Sequence, residues 1–166
     1  MAVPRWQALL VGFSSALVVL CTALLWMAPR PALVSSLPAL PAAAGTQFRA
    51  FVFFRAADCS GNLSFARVFQ RPRYRNSIHL TGVLLDGADE MPGVHSQLRR
   101  LGIAMPVVVA GRRLRQSIPL VDPRSGPFLV IVDGEGRLRH LMPGPRDPQE
   151  TRSFLTLLDS LTAAEP

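Results

Sequence analysis

The sequence predicts an α/β domain standing behind a single N-terminal membrane span. Three observations carry that reading. Residues 8–27 hold 20 consecutive positions without a charge. Downstream, short apolar runs alternate with amphipathic stretches, the pattern of strands covered by helices. The 166-residue chain leaves about 120 residues after its N-terminal part, enough for one compact core.

The span comes first. Ala8–Met27 (ALLVGFSSALVVLCTALLWM) would reach about 30 Å as a helix, the hydrocarbon thickness of a bilayer. Trp6 and Trp26 lie near its ends, where indole rings favour the interface. Arg5 precedes it and Arg30 follows, a small asymmetry that leans toward the N-terminus inside. A cleaved leader fits less well, because Ala42-Ala43-Ala44 lies 17 residues beyond the apolar run. Leu20 before Cys21 also argues against a lipoprotein site. The expected organisation is a flank at 1–7, a signal anchor at 8–27, a Pro/Ala-rich tether at 28–45 and a domain at 46–166. It places the chain in a cell membrane as a single-pass protein, with the domain on the periplasmic or extracellular side.

Within the domain, Gln47–Phe54 (QFRAFVFF) is dense in Phe and Val and suits a buried strand. Ser60–Gln70 is expected as a helix, with Leu63, Phe65, Ala66 and Phe69 on its apolar side and Arg71-Pro72 ending it. Ile78–Asp86 reads as a second strand, nearly apolar at its end, as parallel strands covered on both faces are. Met91–Leu101 follows as a helix with Pro92 in its first turn and Gly102 past its end. Pro106–Ala110 is a short extended piece, and 111–126 is mostly irregular. Phe128–Val132, the turn at 133–136 and Arg137–Leu141 form a hairpin, signalled by Asp-Gly. A last helix runs from Pro148 to Leu161, with Asp147 as N-cap and Glu150 at the capping-box position. Phe154, Leu155, Leu158 and Leu161 make its apolar stripe.

All 18 basic residues are arginine, and the net charge of +7 favours anionic surfaces or an acidic partner. The arginines are scattered, with RPRYR (71–75) and GRRLR (111–115) the nearest thing to clusters, so no nucleic-acid partner is expected. The chain has only two cysteines, Cys21 within the apolar run and Cys59 in the domain. No disulfide framework can form inside the domain.

The order β-α-β-α, a connecting segment, a hairpin and a closing helix now meets three local features. An aromatic strand runs into Cys59, a Gly126-Pro127 pair precedes FLVIV, and VDGEGRL (132–138) makes the hairpin turn. Over about residues 46–161 the sequence resembles the thioredoxin-like superfamily. Its closest resemblance is to the membrane-anchored extracytoplasmic thiol-disulfide oxidoreductases. The resemblance implies a central mixed sheet flanked by helices, a dithiol after the first strand, and a cis-proline that faces it. Cys59 and Pro127 are 68 positions apart, a separation that suits the family.

The Cys-x-x-Cys motif of that family reads Cys59-Ser60-Gly61-Asn62 here, so the nucleophilic position is kept and Asn62 stands at the resolving one. A thiol at a helix N-terminus is stabilised as thiolate, which would make Cys59 the catalytic residue. Arg55 would add to that field and Asp58 oppose it. Ser60, Gly61, Gly126 and Pro127 would line the groove for a protein substrate. Asn62 cannot release a mixed disulfide, and Cys21 cannot reach it. The expected function is monothiol thiol-disulfide exchange with a protein partner through Cys59; the alternative is a redox-inactive interaction or assembly module at the membrane.

No cofactor or metal is expected. A peroxide-reducing site would want a threonine where Ala56 stands, and His79, His95 and His140 have no ligand spacing with a second thiol.

Overall fold

In the computed structural model, residues 46–116 and 126–163 are described. The anticipated membrane span and tether lie outside them. Five strands form one sheet: β1 (Phe48–Phe54), β2 (Ile78–Leu84), β3 (Val107–Val109), β4 (Phe128–Asp133) and β5 (Leu138–Pro143). Their spatial order is β3-β2-β1-β4-β5. β1 pairs parallel with β2 and β2 parallel with β3, whereas β4 runs antiparallel to both β1 and β5. A mixed sheet follows from the connections. Long helical crossovers return the chain in the same direction, and the short Asp133–Gly136 turn reverses it.

The helices are α1 (Pro72–Arg75), α2 (Met91–Arg100), α3 (Arg112–Gln116) and α4 (Pro148–Ala163). Alternation along the strands divides the interior into two cores. Ala50, Val52 and Phe54 of β1, with Leu129 and Ile131 of β4, meet Val94 and Leu98 of α2 and Phe154 and Leu158 of α4. Phe154 sits edge-on to Phe65 and Phe69, with ring centroids 5.9 and 5.7 Å away. The opposite face gathers Phe51, Phe53, Phe128, Val130 and Val132 with Ala110 and Leu114. There Phe53 and Phe128, register partners on β1 and β4, stack at 4.6 Å.

Several expectations need correction. The stretch expected as one helix, Ser60–Gln70, is instead two 3-10 segments, Ala56–Ser60 and Ser64–Gln70. The Ser60 hydroxyl donates back to the Ala57 carbonyl at 3.0 Å, and Gly61 leaves helical backbone at φ +155°, so the first turn closes on itself. Pro72 does not simply stop the chain but opens the one-turn α1, as proline at a first helical position can. The segment expected as irregular contains α3, and the rest of it, 117–125, lies outside the described residues.

The end of β2 is also different. The strand stops at Leu84, and Asp86 turns its carboxylate to the backbone N–H of Ala56 at 2.7 Å. In α4 the Asp147 carboxylate caps as expected, accepting from the N–H groups of Gln149 and Glu150 at 2.7 and 2.8 Å. Glu150 closes its half of the box one residue early, onto the N–H of Arg146 at 2.7 Å.

The hairpin turn is locked by Asp133, which is buried at the end of β4. One oxygen accepts from the N–H groups of Glu135 and Arg137, and the other receives the guanidinium groups of Arg137 and Arg139, each at 3.0 Å. Burial works to raise its pKa, but the Arg137 hydrogen bonds and the charges of Arg137 and Arg139 outweigh it and hold the carboxyl below its usual range.

Candidate functional site

Register decides what meets at the end of the sheet. Phe53 of β1 pairs with Phe128 of β4, and the strands run in opposite directions. The chain leaving β1 toward Cys59 therefore starts beside the chain arriving at β4 through Gly126 and Pro127. The topology brings the start of one candidate segment and the end of the other to the same end of the sheet.

The chemistry at Cys59 is another matter. Its side chain belongs to the core on the α2–α4 side, and the residue is 2% exposed. Ser60, Gly61 and Asn62 are exposed around it, so the thiol lies just beneath a polar rim. Cys59 is the fourth of five residues in the Ala56–Ser60 turn. The expected helix N-terminus is absent at this point.

Two carboxylates add to this. Asp58 accepts the Arg55 N–H at 2.8 Å, and Asp86 caps Ala56 from the end of β2. Burial first, then the charges of Asp58 and Asp86, push the Cys59 thiol up to about 11. This environment favours the protonated thiol over the thiolate.

Pro127 is buried and Gly126 half-buried. There is no cis peptide bond among the described residues, so the Gly126–Pro127 bond is trans, unlike the proline of the family resembled. Gly126 has φ +91°, a conformation that L side chains rarely adopt. The Pro127 carbonyl accepts the Gly144 N–H at 2.8 Å, tying the loop after β5 to this corner.

Sequence reasoning missed three residues here. Asp86 bears on Cys59 from 27 positions away in the chain, and only the parallel pairing of β1 and β2 reveals it. Gly144 is pressed against the Phe65 ring, where a Cβ would approach within 2.7 Å. Arg146 brings its guanidinium to Gly126, 3.5 Å from where a Cβ would stand. A -Gly-Pro-Arg- loop gives no sequence signal of that contact.

His79 on β2, His95 on α2 and His140 on β5 occupy separate elements. Among the described residues no three His, Cys, Asp or Glu side chains assemble a metal-ligand set. Burial and then the charge of Arg139 lower the His140 pKa, as for a neutral imidazole in a strand.

No protein-family model matches the chain. No curated protein matches it either. Solved structures do. One is a thiol:disulfide interchange protein of the thioredoxin family from Chlorobium tepidum TLS, 19% identical, with a TM-score of 0.50 over 70% of this chain and 80% of that one. Another is an uncharacterized thioredoxin-like protein from Porphyromonas gingivalis, 16% identical, with a TM-score of 0.56 over 75% of this chain and 80% of that one. At these identities the likeness speaks to architecture. The domain has the thioredoxin-like fold.

Proposed function

We propose that this chain is a membrane-tethered, thioredoxin-fold interaction module that binds an extended protein segment at the Gly126–Pro127 corner. In this reading Cys59 is a protonated thiol beneath the binding surface and not a resting nucleophile. The tether is argued from the uncharged run 8–27 and places the domain on the periplasmic or extracellular side. The observation that carries the reading is the burial of Cys59 beside two carboxylates, with its thiol pushed up to about 11. In this reading Ser60 and Gly61, both exposed, would form a rim with Gly126.

A second reading is favoured by position. Cys59 follows β1 as the nucleophile does in the family resembled, and at least one solved structure of this fold is a thiol:disulfide interchange protein. In that case the Cys59 thiolate attacks a partner disulfide, forming one mixed disulfide and releasing one partner thiolate. An external thiol must then resolve the product, because Asn62 cannot. The step requires the Ala56–Ser60 turn to open first.

The test is co-purification from membranes after chemical crosslinking and rapid thiol quenching, comparing wild type with Cys59→Ala. The module predicts that both chains recover the same non-covalent partner. A mixed-disulfide adduct that disappears in Cys59→Ala would establish the second reading instead.

A further inference from the structure

The two ends of the sheet differ in charge. β1 and β2 start together, with Phe48 opposite Ile78, and β4 finishes beside them, with Asp133 opposite Phe48. A crossover helix between parallel strands returns to the end where they begin, so α2 finishes there as well. Arg99 and Arg100 close α2, and Arg71, Arg73 and Arg75 surround the single turn of α1. The Arg67 guanidinium joins the two by donating to the Leu101 carbonyl. All six arginines are exposed. Arg75 also lines one surface hollow with Ile78 and Ala104, which sets α1 beside the chain leaving α2.

Carboxylates do not balance this end. Asp159 accepts the Tyr74 hydroxyl at 2.5 Å and pairs with Arg73 at 3.1 Å. In the hairpin turn Asp133 and Glu135 are matched by Arg137 and Arg139. Outside the described residues the sequence holds two more carboxylates, Asp122 and Glu165. Even with both set against them beside Asp159, the six guanidinium groups keep a surplus of three positive charges. The opposite end, around Cys59 and the start of α4, carries Asp58, Asp86, Asp89, Glu90, Asp147 and Glu150.

The chain that precedes β1 enters the domain at the basic end. The Gln47 and Phe48 N–H groups both donate to the Ser77 carbonyl at 3.0 Å, two residues past Arg75. We propose that this arginine-rich end docks on anionic phospholipid headgroups of the membrane that anchors the chain, with the Cys59 end turned away. The inference rests on the tether proposed above, and not on the binding role of the Gly126–Pro127 corner. A tether at 28–45 keeps the domain within about 60 Å of the bilayer, so headgroups stand at high effective concentration. Guanidinium groups meet phosphate oxygens with paired N–H donors. Each arginine brought near an anionic surface strengthens docking about fivefold, while the same surface repels the carboxylates of the far end.

The experiment places the full chain, labelled with 15N-glycine, in nanodiscs that carry a trace of gadolinium-chelating lipid. One set contains phosphatidylglycerol in phosphatidylcholine, the other phosphatidylcholine alone. Gly102, beside Arg67, reports on the basic end, and Gly61, just past Cys59, on the opposite one. The paramagnetic relaxation of the Gly102 amide should be at least about fivefold faster in the anionic discs, with no gain at Gly61. Raising the salt to about 0.5 M should remove the difference. Arg71→Gln/Arg100→Gln should lose most of the gain, whereas Arg112→Gln/Arg152→Gln, an equal loss of charge elsewhere, should keep it. If Gly102 gains nothing in anionic discs, or Gly61 gains as much, the docking is wrong while the tether stands. If the chain enters discs of neither composition, the tether reading fails and this inference with it.

Discussion

The carboxylate of Asp86 accepts the backbone N–H of Ala56 at 2.7 Å, joining the end of β2 to the turn that carries Cys59. One contact has two effects. It satisfies the Ala56 N–H at the start of a short 3-10 turn whose own Asp58 accepts the Arg55 N–H, and it holds negative charge near the sulfur.

Charge and hydrogen bond can be separated by mutation. Asp86→Asn keeps an acceptor for Ala56 and removes the charge. The Cys59 pKa should fall from about 11 but stay above an ordinary thiol, because burial is the larger cause. Asp86→Ala removes the acceptor too and should cost about 1–3 kcal/mol in a urea melt of the full chain. If Asp86→Asn leaves the pH profile of thiol alkylation unmoved, the carboxylate is not sensed by the sulfur.

Asp133 predicts an acid-sensitive hairpin. Its folded pKa lies below the unfolded value, so its contribution is complete above about pH 4 and is lost as pH falls through the folded value. Wild type should therefore lose stability between pH 5 and pH 2.5 more steeply than Asp133→Asn, read as urea midpoints. Asp133→Ala should cost about 1–3 kcal/mol, because it leaves the N–H groups of Glu135 and Arg137 without their acceptor, while the exposed guanidinium groups turn to water. Parallel acid profiles in the two chains would show that the charge of Asp133 contributes nothing.

Packing at the corner is equally testable. Gly144→Ala would drive a methyl to within 2.7 Å of the Phe65 ring and 3.2 Å of the Pro127 carbonyl, neither of which is a flexible chain end. A loss of about 1–3 kcal/mol is expected. Phe154→Ala, which removes the ring shared by Phe65 and Phe69, should cost about 3–5 kcal/mol. Unchanged melting of Gly144→Ala would mean that the loop after β5 does not press on this core.

Much of the architecture was legible in the sequence because strands and long helices announce themselves by period and composition. QFRAFVFF and FLVIV are too apolar and β-branched or aromatic to be anything but buried strands, and Asp-Gly set the hairpin. The misreading at Ser60–Gln70 has a physical cause. Its apolar spacing fits a 3-10 winding as well as an α-helix, and Gly61 and the Ser60 back-bond break the stretch after its first turn. That local choice removed the helix N-terminus expected at Cys59. The electrostatics at Cys59 depend on Asp86, and the shape of the corner depends on Gly144 and Arg146. All three act through pairings between distant segments, which periodicity does not encode.

The most direct measurement is the rate of Cys59 alkylation in the full chain as a function of pH, with Cys21 replaced by alanine. A protonated, buried thiol predicts an apparent pKa near 11 and, at pH 8, a rate about a hundredfold below that of an exposed cysteine. An apparent pKa below 8 with rapid modification at neutral pH would contradict the account and make Cys59 a working nucleophile.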